Sequence, residues 1–164
     1  MRDTTDPTGM KFAGDVGRRL EKKVDEVLSE YFLSKYNGKY RLCEDNPLKK
    51  MYGLSGVVPD HIIENTETGN RIMIESKNQD AGGNAYERMF KFCTPNMVRL
   101  VKDTLDVKYN PIVFICSGVL NTPKFRNKIN FGLGDDFDNL FWEGTKEEIA
   151  NFFETKLKGR LDNE

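Results

Sequence analysis

The chain has 164 residues, 38% hydrophobic and 31% charged with a formal net charge of −1, which is the composition of a single α/β domain large enough to bury a core. No apolar run approaches a membrane span and Met1-Arg2-Asp3-Thr4-Thr5-Asp6 opens no signal-peptide apolar region, so a cytoplasmic protein with no membrane partner is expected. Cys43, Cys93 and Cys116 are far apart with no zinc-ligand pairing, and His61 is the sole histidine, which argues against a Cys/His metal cluster or a Ser-His triad.

Residues 1–15 are polar and contain Gly, Pro and Thr, and are expected to form a loose arm on a domain spanning 1–164. Leu20, Val24, Val27, Leu28 and Phe32 then recur at helical spacing, predicting an amphipathic helix over 17–35 that Asn37-Gly38 terminates. Residues 39–56 are mixed and end in the loop Gly53-Leu54-Ser55-Gly56. Val57–Ile63 and Arg71–Lys77, joined by Asn65-Thr66-Glu67-Thr68-Gly69-Asn70, read as a β-hairpin, with Pro59-Asp60 ending or interrupting its first strand. After a loop with Gly82-Gly83, a helical segment is expected from near Asn84, restarting at Pro95 and running to about Asp106. Pro111–Cys116 has the continuous apolar character of a buried central strand, whereas 121–140 is ambiguous. A last helix opens at a capping box, Thr145 with Glu148. Trp142 and the nearby Phe137, Phe141, Phe152 and Phe153 are expected in the core. The sum is a small mixed β-sheet flanked by helices.

The chemistry concentrates on the hairpin. Alternation along a strand puts Glu75 and Lys77 on one face, and Ile72, Ile74 and Ser76 on the other. Asp60 on the adjacent strand and Glu75 together suit Mg²⁺, a hard cation that also binds phosphate, and Lys77 beside them can offset charge in a phosphodiester transition state. The plain structural alternative is a solvated face with an ion pair. His61 should point away from this face, into the core or along an edge.

Beyond Lys77 the chain reads Asn78-Gln79-Asp80-Ala81-Gly82-Gly83-Asn84-Ala85-Tyr86-Glu87-Arg88. Glycines permit close approach of a backbone, Asn and Arg make paired hydrogen bonds to adenine and guanine edges, and Ala can touch a thymine methyl. On one helix Asn84 and Arg88 would share a face. The local alternative is an N-cap at Asn84 with Glu87 as its capping-box partner and Arg88 in an ordinary ion pair. Lys91 and Arg99 could meet phosphates, although scattered cations are mostly plain surface; Tyr86 could meet DNA or pack locally.

The combination Pro59-Asp60, Glu75-Ser76-Lys77 and Gly83-Asn84-Ala85-Tyr86-Glu87-Arg88 resembles the EcoRI/MunI branch of the PD-(D/E)XK restriction endonucleases, most densely from Val58 to Val101. Ile63–Thr68 and Thr94-Pro95 are similar to its MunI-like members in particular. The resemblance implies a restriction-endonuclease-like fold and a homodimer that cuts double-stranded DNA at a palindrome with an AATT core, using Mg²⁺. It implies that Asp60 and Glu75 bind the metal, that Lys77 is catalytic, and that Gly83, Asn84, Ala85, Glu87 and Arg88 form the DNA-reading segment, Glu87 holding Arg88 in place. It matches Glu21 to a supporting acidic residue, although an exposed helix charge is the simpler reading. Two departures stand out. The connection between Lys77 and the Gly83–Arg88 string is short, and Gly82 stands where MunI-like members have an arginine that reads the outer base pair. Two other readings share the scaffold: a phage or mobile-element nuclease with relaxed specificity, and a catalytically silent DNA-binding module.

Overall fold

The computed structural model describes residues 7–50, 59–80 and 83–163, without the side chains of 7–16, 49 and 50. The expected start of the first strand at Val57, the Gly53–Gly56 loop and Gly82 lie outside the described residues.

Helix α1 (Pro7–Tyr36) begins ten residues before the expected start at 17, so the expected loose arm is helical from Pro7 onward. It ends where Asn37 and Gly38 take left-handed backbone, φ 48° and 89°. Strand β1 (Tyr40–Leu42) follows, then β2 (His61–Asn65) and β3 (Arg71–Gln79). Helix α2 (Pro95–Leu105), strand β4 (Ile112–Gly118), helix α3 (Pro123–Leu133), strand β5 (Asp138–Phe141) and helices α4 (Lys146–Phe152) and α5 (Lys158–Asp162) complete the order. The ambiguous 121–140 stretch thus holds α3 and most of β5.

The strands form one sheet in the order β1-β2-β3-β4-β5. The first two pairings are antiparallel and the last two parallel, so β3 is the central strand and belongs to both halves. Ile63, Ile72, Ile74, Val113 and Ile115 pack on one side against Val24, Leu28 and Phe32 of α1 and against Ile149 and Phe153. Ile62, Met73, Ile112, Phe114 and Cys116 pack on the other against Met89, Phe92, Val101, Leu105 and Ile129. Among the described residues, no helix is long and apolar enough to cross a membrane.

Register in the hairpin is enforced by a row of charges. Arg41, Glu64 and Arg71 stand directly opposite one another on β1, β2 and β3. Arg41 donates from Nε and Nη2 to Glu64 Oε2 at 2.9 and 2.7 Å, and Arg71 likewise to Oε1 at 3.1 and 2.8 Å. Asn65 then links the hairpin to α5: Nδ2 donates to Leu161 O at 2.9 Å, and Oδ1 accepts the Glu67 N–H at 2.9 Å. Trp142, Phe152 and Phe153 are buried, as expected, while Phe137 and Phe141 pack at the margin of the second core.

The capping box forms as the sequence predicts, Thr145 Oγ1 accepting from Glu148 N–H and Glu148 Oε2 from Thr145 N–H. Thr145→Ala should therefore lower stability by about 1 kcal/mol, and Thr145→Ser should keep most of it. Urea unfolding midpoints of the three proteins check this.

Candidate active site

Pro59 has no N–H to give to a ladder, and the β2–β3 pairing ends at His61 opposite Ile74. The next β3 N–H on that side, Ser76, would be an unpaired donor in a buried place. Asp60 Oδ2 accepts it at 2.6 Å. Asp60 is therefore not inside the first strand, as expected, but immediately before it, where its side chain continues the ladder. This bond fixes the carboxylate against β3 beside Glu75.

Glu75 is only 4% exposed. One oxygen, Oε1, is ion-paired with the Lys77 ammonium, and Lys77 Nζ also donates to Ser76 O at 3.2 Å. The other, Oε2, is buried with no hydrogen-bond partner. Burial and the neighbouring Asp60 charge push the Glu75 carboxyl up to about 7, against the opposing pull of Lys77. Across the parallel pair, Cys116 stands opposite Lys77 as a buried thiol, pushed up to about 12 by burial.

Glu21 is corrected by the structure. It is half-buried rather than an exposed helix charge, and its carboxyl stands beside that of Asp60. Burial and then the Asp60 charge raise its carboxyl above the ordinary range. His61 turns to the α1 side as expected, hydrogen-bonded to the Glu21 backbone and held neutral more strongly by burial. Nothing in local sequence pairs Glu21 with Asp60; their meeting depends on how α1 lies across the sheet. The same packing opens a cleft of about 480 Å³ between α1 and the ends of β3 and β4, lined by Arg19, Lys23, Asn78, Ser117 and Asn121 among others. Sequence reasoning did not single out these residues.

The segment Gly83–Arg88 is not the expected helix. It is a run of turns, with Glu87 N–H donating to Asn84 O at 3.0 Å, Met89 N–H to Tyr86 O at 3.2 Å and Phe90 N–H to Glu87 O at 3.2 Å. Asn84 consequently caps no helix. Gly83, Asn84, Glu87 and Arg88 are exposed, while Ala85 and Tyr86 are half-buried. Tyr86 packs on Phe125 of α3 at 5.5 Å between ring centroids, and its hydroxyl donates to Glu87 Oε1 at 3.1 Å. Among the described residues no ion pair engages Arg88, so Glu87 does not hold it by a salt bridge. Lys91 lies over the Phe92 ring, 4.7 Å from its centroid. The far end of the Phe90 ring abuts Gly132, where an added Cβ would come within 2.2 Å of it.

Residues 21–162 match the family described as type II restriction enzyme MunI. This chain belongs to that family. A type II restriction enzyme MunI from Mycoplasma sp is 35% identical over 124 residues, 65% of this chain and 61% of that enzyme, so the match spans less than two thirds of the relative. The crystal structure of MunI restriction endonuclease in complex with cognate DNA has the same fold, with a TM-score of 0.64 at 24% identity over 81% of this chain and 88% of that one. The α/β restriction-endonuclease-like fold expected from the motifs is therefore present, and Glu21, Asp60, Glu75, Lys77 and Gly83–Arg88 all fall within the part that matches the MunI family.

Glu75 makes a pH prediction. Its folded pKa lies above that of an ordinary carboxylate, so it favours folding at low pH and loses that contribution as pH rises through about 7. Metal-free protein should lose about 2 kcal/mol from this group between about pH 5 and pH 8. Glu75→Gln should flatten that part of the profile; urea midpoints in EDTA at the two pH values test it, and an unchanged slope in the variant would count against the assignment.

Proposed function

We propose that this chain is a divalent-metal-dependent endonuclease that hydrolyses double-stranded DNA, acting as a homodimer on a palindrome with an AATT core. The observation that carries the reading is Glu75: a buried carboxylate with one oxygen on Lys77 and the other unpartnered, beside the anchored Asp60. An orphaned buried oxygen is costly unless a ligand satisfies it, and a second carboxylate alongside makes a cation the fitting ligand. Hard oxygen donors suit Mg²⁺.

Asp60 and Glu75 would hold the ion. Among the described residues no three His, Cys, Asp or Glu side chains gather into a complete cage, which suits an ion that keeps water and substrate phosphate among its ligands. Bound there, the ion would polarise the phosphate and lower the pKa of a bound water. Lys77 places an ammonium beside the reacting phosphate, where it offsets developing negative charge. Glu21 stands beside Asp60 on the α1 side and would help keep that carboxylate in place.

Exposed Asn84 and Arg88, with half-buried Ala85 and Gly83 at the entrance, provide donors and a small apolar surface on the same side of the sheet as Glu75. Arg88, engaged in no ion pair among the described residues, keeps its guanidinium for a base edge. A two-fold palindrome calls for a two-fold protein. A soluble cytoplasmic enzyme fits the absence of a membrane-crossing helix among the described residues, and products with 5′-phosphate and 3′-hydroxyl ends follow by analogy with the family.

The test is to incubate the protein with mixed-sequence plasmid in Mg²⁺ or EDTA and sequence the ends. Discrete Mg²⁺-dependent ends centred on AATT support the whole reading. Ends without preference would leave the relaxed-specificity nuclease, and binding without cutting would leave the silent module. Lys77→Ala should lose at least about a hundredfold in cleavage rate while still binding DNA. Arg88→Ala should lose roughly tenfold or more in preference for AATT over a single-base variant, because a paired contact to a base edge carries about 1–3 kcal/mol. Normal cleavage by the first variant, or unaltered site choice by the second, would remove that residue from its assigned role.

A further inference from the structure

Strand β3 continues past Lys77, and its alternation puts a third side chain on the face of Glu75 and Lys77: Gln79, 7% exposed. Gln79 Oε1 accepts the backbone N–H of Ala85 at 3.0 Å, reaching into the middle of the exposed Gly83–Arg88 turns. A Cβ added at Gly83 would sit 3.5 Å from the Gln79 amide, so this side chain also lies beneath the entrance to the turns.

The strand end that carries Gln79 is firmly held. Gln79 is the last residue of the parallel register, opposite Gly118. Gly118 has φ +68°, and a Cβ there would come within 2.3 Å of Gln79 O, so only glycine permits the approach. Next to it, Ser117 Oγ donates to Asn78 Oδ1 at 2.9 Å. The turns, by contrast, have no helical ladder of their own, and no turn bond within them engages the Ala85 N–H. A buried acceptor from the catalytic strand takes that amide instead.

We propose that Gln79 is a positioning residue that ties the base-reading turns to the catalytic strand, so that a displacement of Ala85 on a wrong site is passed to the strand bearing Glu75 and Lys77. This rests on the reading of those two groups as the cleavage centre and of Asn84–Arg88 as the base reader. It adds a mechanical link between them through one side chain, two residues from the lysine. Met at position 79 would fill the same space without accepting a hydrogen bond, whereas Glu would keep an acceptor oxygen.

The experiment compares the full-length parent with Gln79→Met and Gln79→Glu. One readout is amide hydrogen exchange at Ala85 without DNA. The other is the ratio of Mg²⁺-dependent cleavage rates at the preferred site and at a single-base variant of it. The expected result is a protected Ala85 amide in the parent and in Gln79→Glu, exchanging at least about tenfold faster in Gln79→Met. The rate ratio should fall by roughly tenfold in Gln79→Met and hold in Gln79→Glu, even though the added charge weakens binding to both DNAs. An unprotected amide in the parent, a full ratio in Gln79→Met, or a ratio lost equally in both variants would overturn the proposal. A parent that cuts no DNA would overturn the endonuclease reading and the coupling with it, whereas a parent and a Gln79→Met that discriminate equally would remove the coupling alone.

Discussion

Glu75 has to stay nearly out of water with one oxygen on a lysine and the other on nothing, and much of the surrounding architecture sustains that unfavourable arrangement. Its strand is hydrogen-bonded on both edges, antiparallel to β2 and parallel to β4, so the backbone cannot swing the carboxylate toward solvent. Asp60 takes the Ser76 N–H where the β2 ladder stops, which removes one buried donor and adds a second negative charge at the same point. The apolar layers on both faces of the sheet supply the stability against which such a site is set. A metal-free protein of this design holds an unresolved electrostatic tension that a cation would relieve.

The two faces of the sheet divide the work. Helix α1 covers one face with an apolar stripe and brings Glu21 to the edge of the site, over the His61 side of β2. The opposite face carries Glu75, Lys77 and Gln79 and is covered by α2, α3 and the turns from Gly83. On that same face, the Arg41–Glu64–Arg71 row guards the hairpin register. A slip of one residue would send Asp60 to the wrong face and separate it from Glu75, so this charge cluster protects the pairing of the two carboxylates.

What could be read from the sequence follows from how local its causes are. Strand alternation placed Glu75 with Lys77, the Thr145/Glu148 pair opened its helix, and Asn37-Gly38 closed α1, because each is decided within a few residues. Strands β1 and β5 escaped notice: Tyr40–Leu42 and Asp138–Phe141 are too short to show a period, and their pairing partners lie far along the chain. Helix α3 was hidden by its asparagines and glycine. Asn84–Arg88 has helix-compatible spacing, yet its shape is imposed from outside, by Gln79 on Ala85 and by α3 beneath Tyr86 and Phe90. Glu21 looked like any charged position on a surface helix until the tertiary fold laid it against Asp60.

The close fit of Phe90 on Gly132 bears on how such a surface could change over time. Because the ring occupies the volume any larger side chain at 132 would need, the turns that face outward and the helix behind them form a single heritable module. New sequences from Gly83 to Arg88 can be sampled freely at their exposed positions, but transplanting the loop onto a scaffold without this glycine would force the Phe90 ring out of its seat.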